Sequence, residues 1–162
     1  MSGDGGVRIP TGGGGGAIRQ PMRGLGIAAS GLSAQRARME AISENIANAE
    51  TTRGPDGTPY RRKIVSLEQV GFEPLLTQGA NPAPGEEGYG GVRVAGVAED
   101  ASEGPLVYDP GHPDADENGY VRMPNVDINT EMVDLMDARR VFEANASVFQ
   151  AIKAMLHKSA QL

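Results

Sequence analysis

Apolar and polar residues alternate with a helical period in two long segments, one near each end of the chain. In residues 24–49, apolar or small residues recur at alternating steps of three and four, the a/d pattern of a helix that packs along one seam. The seam consists of Leu25, Ala28, Leu32, Gln35, Met39, Ile42, Ile46 and Ala49. Because much of it is alanine and methionine, a neighbouring helix can approach closely, but little apolar area is buried at each contact.

A second helical pattern fills residues 129–160, where Asn129 can cap the first turn. Acidic residues suit its positive N-terminal end, and basic residues suit its C-terminal end. One apolar stripe consists of Met132, Leu135, Phe142, Ala146, Phe149 and Leu156, and a second stripe beside it of Val141, Val148, Ile152 and Met155. Two stripes indicate that the helix is covered on more than one side. One partner helix of the same chain cannot do this, so the pattern predicts an interface between subunits.

The segment between the helices reads as short strands and turns. Strand patterns lie at residues 60–67, at Val92, Val94 and Val97, at residues 106–108 and at residues 120–123. Residues 71–91, rich in proline and glycine, are typical of a long flexible loop. Together the strands predict a small antiparallel β-unit.

The predicted fold class is therefore α+β: two long terminal helices form an antiparallel coiled-coil pair, with a small antiparallel β-rich unit between them. The predicted segments are a Gly-rich disordered extension at 1–23, a helix at 24–50, the β-rich unit with long loops at 51–126, and a helix at 127–162 that packs with 24–50. Met22 is an alternative start of the protein. With seven aromatic residues (three Phe, four Tyr, no Trp), the chain can bury only a thin core, so we expect marginal stability for a monomer.

Charge and composition exclude several classes of function. A net charge of −6 argues against nucleic-acid binding as the main role, and the basic run Arg61, Arg62 and Lys63 is typical of a solvated strand or turn. The chain has no cysteine, which rules out disulfides and thiolate chemistry. No stretch approaches the roughly 18 apolar residues of a membrane helix, and residues 1–21 lack the apolar region of a secretory signal.

Three motifs hint at ligands, and each has a simpler explanation. Residues 24–29 match a dinucleotide fingerprint, but no buried strand pattern precedes them. Residues 114–119 copy the first half of a calcium loop, but Asn125 stands where the bidentate glutamate belongs. His112 and His157 have no partner at the spacing of metal ligands. We therefore expect no catalytic residue, no metal site, no cofactor and no small-molecule substrate.

Asn45 and Asn48 lie three residues apart on one helix face, beside the seam, and Asn145 has a similar place in the other helix. Side-chain amides at a helix interface fix the register of packing at some cost in stability. These asparagines therefore predict register-setting contacts in an assembly. The alternative is a frayed helix end before Thr51 and Thr52.

At these residues the chain resembles the bacterial flagellar axial proteins, the family of rod, hook and filament-linking subunits. The stretch "SGLSAQRARMEAISENIANAET" is similar to the N-terminal signature of that family, and "MPNVDINTEMVDLMDARRVFEANASVFQAIKAMLHKSAQL" to its C-terminal signature. The short length, "GPDGTPYRRK" and "LVYDPGHPDADENGYVRMPNVD" resemble a proximal rod subunit. The resemblance covers residues 24–162, while residues 71–90 look longer than is usual in the family.

The resemblance implies a structural subunit of the proximal rod of the flagellar basal body. It would assemble helically through its terminal helices, build the drive shaft and line the export channel. The implied partners are other rod subunits, copies of itself, the flagellar type III export apparatus and the membrane-ring or rod-adaptor proteins. The implied location is the periplasmic part of the cell envelope, reached without a cleaved signal peptide.

The assembly interface that follows from the pattern and the resemblance has members on both helices. They are Leu25, Leu32, Met39, Ile42, Asn45, Ile46, Asn48, Met132, Leu135, Arg140, Phe142, Asn145, Phe149, Ile152 and Leu156. Two other functions remain as alternatives: a cytoplasmic coiled-coil scaffold or adaptor, and a small calcium- or ligand-binding domain. We expect the helices to be largely unfolded in the monomer and to fold on assembly.

Overall fold

The computed structural model describes residues 16–70 and 90–161. Within these ranges the elements follow in the order helix, four strands, helix, which confirms the α+β class. They are α1 (Gly16–Ala47), β1 (Lys63–Val70), β2 (Gly91–Glu99), β3 (Leu106–Tyr108), β4 (Tyr120–Arg122) and α2 (Ile128–Ser159). Neither helix is apolar enough over a sufficient length to cross a membrane, as far as the described residues go.

The two helices lie side by side and run in opposite directions. Near the start of α1, a Cβ atom built on Gly24 would lie 3.1 Å from Ile152 Cδ1, close to the end of α2. One built on Gly31 would lie 2.7 Å from Asn145 Nδ2. At the other end, Asn45 is hydrogen-bonded to Glu131 in the first turn of α2. Glycine at position 31 lets the Asn145 side chain rest on the backbone of α1.

The β1–β2 hairpin contacts another face of α1. The strands pair antiparallel from Lys63↔Glu99 to Val70↔Gly91, with a register shift between Ser66 and Leu67. At the far end of the hairpin, the Val92 backbone N–H donates to Ser30 Oγ at 3.2 Å. Helix α1 therefore has α2 on one side and the hairpin on another, while α2 contacts α1 alone among these elements.

A second, smaller hairpin lies beside the loop that follows α1. Strands β3 and β4 pair antiparallel over three residues each, and the rings of Tyr108 and Tyr120 meet edge to face at 5.3 Å. Val121 is its buried side chain. The Thr52 hydroxyl donates to Asp114 Oδ2 at 2.8 Å, which ties this unit to the loop after α1.

The core is thin and is concentrated on α1. Its buried apolar members are Ala28, Ala34, Ala41, Ile42, Ala49, Val121 and Ala138. Ala28, Ile42 and Ala49 belong to the predicted seam, whose other members are half-buried. Ala34 and Ala41 lie outside that seam, because α1 is covered by a hairpin as well as by a helix. Alanine buries little area, so each such contact contributes only a small hydrophobic term.

The predicted elements are all present, with shifted ends. Helix α1 begins at Gly16, inside the stretch that the sequence assigns to the extension, and residues 1–15 lie outside the described residues. The long loop predicted at 71–91 also lies outside them except for its last two residues, of which Gly91 begins β2. Strand β3 coincides with its prediction, and β1 begins three residues later than expected.

Candidate functional site

Asn45 is the centre of a buried hydrogen-bond network that we call the polar joint, made by Asn45, Tyr60, Arg62, Lys63 and Glu131. Its side chain is 1% exposed. Asn45 Oδ1 accepts from the Lys63 backbone N–H at 2.8 Å and from the Tyr60 hydroxyl at 2.9 Å. Asn45 Nδ2 donates to the Lys63 carbonyl at 3.0 Å and to Glu131 Oε2 at 3.1 Å. An amide has two donors and two acceptor positions, and all four are used.

The bonds to Lys63 make the Asn45 side chain a substitute for a neighbouring strand. In a sheet, one residue exchanges both its N–H and its C=O with a residue of the next strand. Here the amide of Asn45 makes that exchange with the first residue of β1. The end of α1 is thereby fixed against the start of the β1–β2 hairpin.

Glu131 joins α2 to the same point. It is fully buried, and its carboxylate accepts from Asn45 and forms an ion pair with the Arg62 guanidinium. Arg62 also reaches Asp134 one turn later, at 3.3 Å, and Arg38 of α1 pairs with the other oxygen of Asp134 at 3.4 Å. A buried carboxylate needs such partners because an unpaired charge in the interior is costly.

The Tyr60 phenol belongs to the same network and stays neutral far into the alkaline range. Burial raises its pKa from 10.0 to about 12, and the negative charges of Glu44, Glu99 and Glu131 add to the shift. The neutral hydroxyl is the form that can donate to Asn45. The polar joint therefore depends on a protonated Tyr60.

Within the described residues, the side chain of Asn48 makes only local hydrogen bonds. Its Nδ2 donates to the Glu44 carbonyl at 2.9 Å, and its Oδ1 accepts from the Thr51 hydroxyl at 3.2 Å. These bonds satisfy groups at the C-terminal end of α1 and begin the turn that follows. The sequence predicts the same role for the two asparagines, but their surroundings differ. Asn45 connects α1, β1 and α2, whereas Asn48 only ends α1.

One side of α2, next to the side that packs on α1, carries a stripe of exposed apolar side chains. We call it the outer face and define it by Val133, Val141, Val148 and Met155, which follow one another at seven or eight residues and so lie along one side of the helix. Their exposed fractions range from 44% for Val141 to 60% for Met155. Large apolar side chains in a row on a helix surface are typical of a contact site. Three members of the second predicted stripe, Val141, Val148 and Met155, lie on this face.

The predicted interface residues fall into three groups by burial. Ile42 and Asn45 are buried, and Met132 and Arg140 are exposed. The half-buried ones are Leu25, Leu32, Met39, Ile46, Asn48, Leu135, Phe142, Asn145, Phe149, Ile152 and Leu156. The first stripe of α2 is thus partly covered within the chain, whereas the second is largely open.

Sequence reasoning missed four members of the polar joint. It took Arg62 and Lys63 for a solvated basic run, but Arg62 pairs with Glu131, and Lys63 pairs with Glu44. It took Glu131 for a favourable charge at a helix N-terminus, and Tyr60 only for the start of a strand. The sequence did contain a signal for Arg62 and Lys63. In a strand, successive side chains point to opposite faces, so adjacent basic residues cannot all face solvent on one side.

The ligand motifs have ordinary structural roles. Residues 24–29 lie in the interior of α1, not in a turn between a strand and a helix. In the calcium-like stretch, Asp116 Oδ1 accepts from the backbone N–H groups of Asn118 and Tyr120, and Asp114 pairs with Arg53. Over the described ranges, no group of three or more acidic, histidine or cysteine side chains could hold a metal ion.

Comparison with known proteins connects this geometry to a function. Residues 25–55 match the family model "Flagella basal body rod protein", and residues 117–162 match "Flagellar basal body rod FlgEFG protein C-terminal". The chain is 46% identical to flagellar basal-body rod protein FlgC of Salmonella typhimurium, over 84% of this chain and 92% of the relative. It is 44% identical to FlgC of Bacillus subtilis, over 85% and 95% of the two chains. For FlgC of Aquifex aeolicus the identity is 38%, over 83% and 91%. The chain therefore belongs to the FlgC family of flagellar basal-body rod proteins, which are structural rod subunits and not enzymes.

Proposed function

We propose that this rod subunit assembles helically in the proximal rod and that neighbouring rod subunits cover the outer face of α2. The observation that carries the proposal is the row of exposed Val and Met side chains along that face. Burying one such side chain completely is worth about 1.5–3 kcal/mol. Four of them along one side of a helix provide a large driving force for association.

The pairing of α1 with α2 holds the outer face in position for this contact. We propose that the two helices form an antiparallel coiled coil whose seam includes the half-buried Leu32, Phe142 and Phe149. Among the other predicted interface residues, Met132 and Arg140 are exposed on α2, and Asn48 closes the end of α1. The rest belong to this seam or to the polar joint and act on the assembly by fixing how α2 is presented. For Asn45 the register that is fixed is that of α1 against β1 and α2, since its hydrogen bonds lie within the chain.

Helical assembly requires a contact between two different surfaces of the subunit. Such a heterologous contact repeats without closing and produces a helical array, whereas a self-complementary one stops at a dimer. With both terminal helices near the rod axis, the array would form the drive shaft and line the export channel. The partners in this arrangement are other rod subunits and copies of this chain, with the membrane-ring and rod-adaptor proteins outside.

We further propose export through the flagellar type III apparatus to the periplasmic part of the basal body, without a cleaved signal peptide. Two features favour a chain that passes a narrow channel unfolded and folds afterwards. The core is built mainly from alanine, and the chain contains no cysteine that could form a disulfide before export. Folding would then be completed by neighbouring subunits.

The test is Val148→Asp, which puts a charge in the middle of the outer face. We expect cells carrying this variant as their only copy to lack rods and to stop swimming, because a buried carboxylate without a partner prevents the contact. The matched control is Ser43→Asp at an exposed position of α1. Both purified variants should keep the far-ultraviolet circular dichroism of the parent chain.

The measurements are electron microscopy of isolated basal bodies and the diameter of swimming zones in soft agar. Normal rods with Val148→Asp would exclude the outer face as an interface. Loss of rods with both variants would mean that the helices tolerate no added acid anywhere, and this also contradicts the proposal.

A further inference from the structure

Two charged side chains in the middle of α2 have no partner within the part of the chain that the structure describes. The other charges of the first half of the helix are paired: Glu131 and Asp134 with Arg62, and Arg139 with Glu143. Asp137 and Arg140 make no ion pair and no hydrogen bond among these residues, and both are exposed.

Both charges lie on the outer face. On a helix, residues four apart are neighbours on the same side. Val133 and Val141, which are 59% and 44% exposed, flank Asp137 in this way. Arg140 stands seven residues, about two turns, after Val133 and so lies on the same side of the helix. The two charges therefore interrupt a surface that is otherwise suited to be covered.

A partner that covers this surface removes both charges from contact with water. Asp137 and Arg140 are helix neighbours of opposite charge, three residues apart, but they form no ion pair with each other among the described residues. An apolar partner would remove the water from both charges without providing a counter-ion, which costs more than one apolar contact returns. A partner that places opposite charges next to Asp137 and Arg140 avoids this cost. A partner that lacks those charges binds much more weakly. The same pair can thus permit one neighbour and exclude another that is equally apolar.

We propose that Asp137 and Arg140 select the neighbour that docks on the outer face: a rod subunit that presents a cationic side chain to Asp137 and a carboxylate to Arg140. This inference rests on the proposed function, since it needs the outer face to be covered. In this proposal, the apolar residues of the outer face provide the affinity. The two charges determine which neighbour binds and in which register it packs. Arg139, next in sequence, has no such part because Glu143 of its own helix already pairs with it at 3.0 Å.

The test compares Arg140→Glu with Arg139→Glu in cells that carry each variant as their only copy. Each change reverses one charge at an exposed position, and each places a new glutamate near an existing acid of α2, so the cost to the helix is similar. We expect Arg140→Glu to abolish rods and swimming, and Arg139→Glu to keep swimming within about twofold of the parent, because an exposed pair contributes little. Thermal melting of both purified variants should agree within a few degrees.

A charge-conserving swap separates the pattern from the net charge. The double variant Asp137→Arg with Arg140→Asp keeps every charge but reverses their order, so we expect it to fail like Arg140→Glu. Suppressors of Arg140→Glu should exchange a carboxylate of a rod subunit for Lys or Arg, and the gene in which they arise identifies the neighbour.

The proposal is wrong if the swap variant builds normal rods, or if Arg139→Glu and Arg140→Glu behave alike. Loss of rods with Val148→Asp together with normal rods for Arg140→Glu would leave the outer face as an interface and remove only the selection by charge. Normal rods with Val148→Asp would remove both.

Discussion

At the scale of single residues, one side chain fixes how three elements meet. Asn45 at the end of α1 bonds to the first residue of β1, to Tyr60 before that strand, and to Glu131 in the first turn of α2. Any shift of one element against the others by a single residue would break several of these bonds. A buried amide with every group satisfied therefore specifies one arrangement, beyond the stability that it adds.

We predict that Asn45→Asp is strongly destabilising although its shape is nearly unchanged. The new oxygen cannot donate to the Lys63 carbonyl or to Glu131, and it places a second carboxylate beside a buried one. Leaving buried acceptors unpaired should lower the free energy of unfolding by about 3 kcal/mol or more. Urea denaturation of the purified chain measures this change.

The control for that change is Asn48→Asp, which also removes an amide donor, but one that serves only the local Glu44 carbonyl. We expect it to cost under about 1 kcal/mol, as for an ordinary hydrogen bond at a partly exposed site. Equal effects of the two variants would show that Asn45 has no special part in the fold.

Tyr60 makes the polar joint sensitive to alkaline pH. Its pKa in the folded chain is about 12, above the ordinary 10.0, so the unfolded chain loses this proton first as the pH rises. Its contribution to stability is therefore complete below about pH 10 and is lost between about pH 10 and pH 12. The difference in Tm between the parent chain and Tyr60→Phe should shrink over that interval. A difference that stays constant with pH would show that Tyr60 ionises as an ordinary tyrosine.

At the scale of elements, periodicity was sufficient to predict the types of all six but not their surroundings. The 3.5-residue seam in α1 and the stripes of α2 carry the signal for two paired helices, and β3 was located without error. The sequence gives no comparable sign that the β1–β2 hairpin lies on α1, because the buried residues of α1 outside the seam, Ala34 and Ala41, are small and look neutral in any helical pattern. The polar joint was missed for a related reason: its partners are 15 to 86 residues apart, and no local period connects them.

The two helices, equal in length at 32 residues, differ in how they are supported. Helix α1 is covered by α2 and by the β1–β2 hairpin and contains most of the buried residues. Helix α2 contributes Glu131 and Ala138 to the buried set, both in its first half. Because a helix gains most of its stability from packing, α2 should be the weaker of the two in an isolated subunit.

At the scale of the whole molecule, stability should fall from one end to the other. The polar joint, with the ion pairs around Arg62, holds the end of α1 to the start of α2. Toward the other end, α1 meets Ile152 and Asn145 of α2 at Gly24 and Gly31. The side-chain oxygen of the seam residue Gln35 is buried without a hydrogen bond among the described residues. Such a subunit should be stably folded near the polar joint, and elsewhere it should depend on packing against neighbouring subunits for its stability.

The buried residues of α1 and the polar joint change the expectation from sequence that both helices are largely unfolded in the monomer, because α1 should be folded near the joint. Hydrogen exchange on the dilute monomer tests this gradient directly. We predict the slowest amide exchange in α1 around residues 34–45, intermediate rates at the start of α2, and the fastest helical exchange in its second half, at residues 144–159, because regions with few buried contacts open at low free energy. Addition of the Asn45→Asp change should speed exchange near the joint and leave the already fast end of α2 unaltered. Uniformly strong protection of α2 to its last turn would mean that the subunit is complete by itself. The outer face would then need no neighbour for folding, and assembly would join finished subunits instead of completing them.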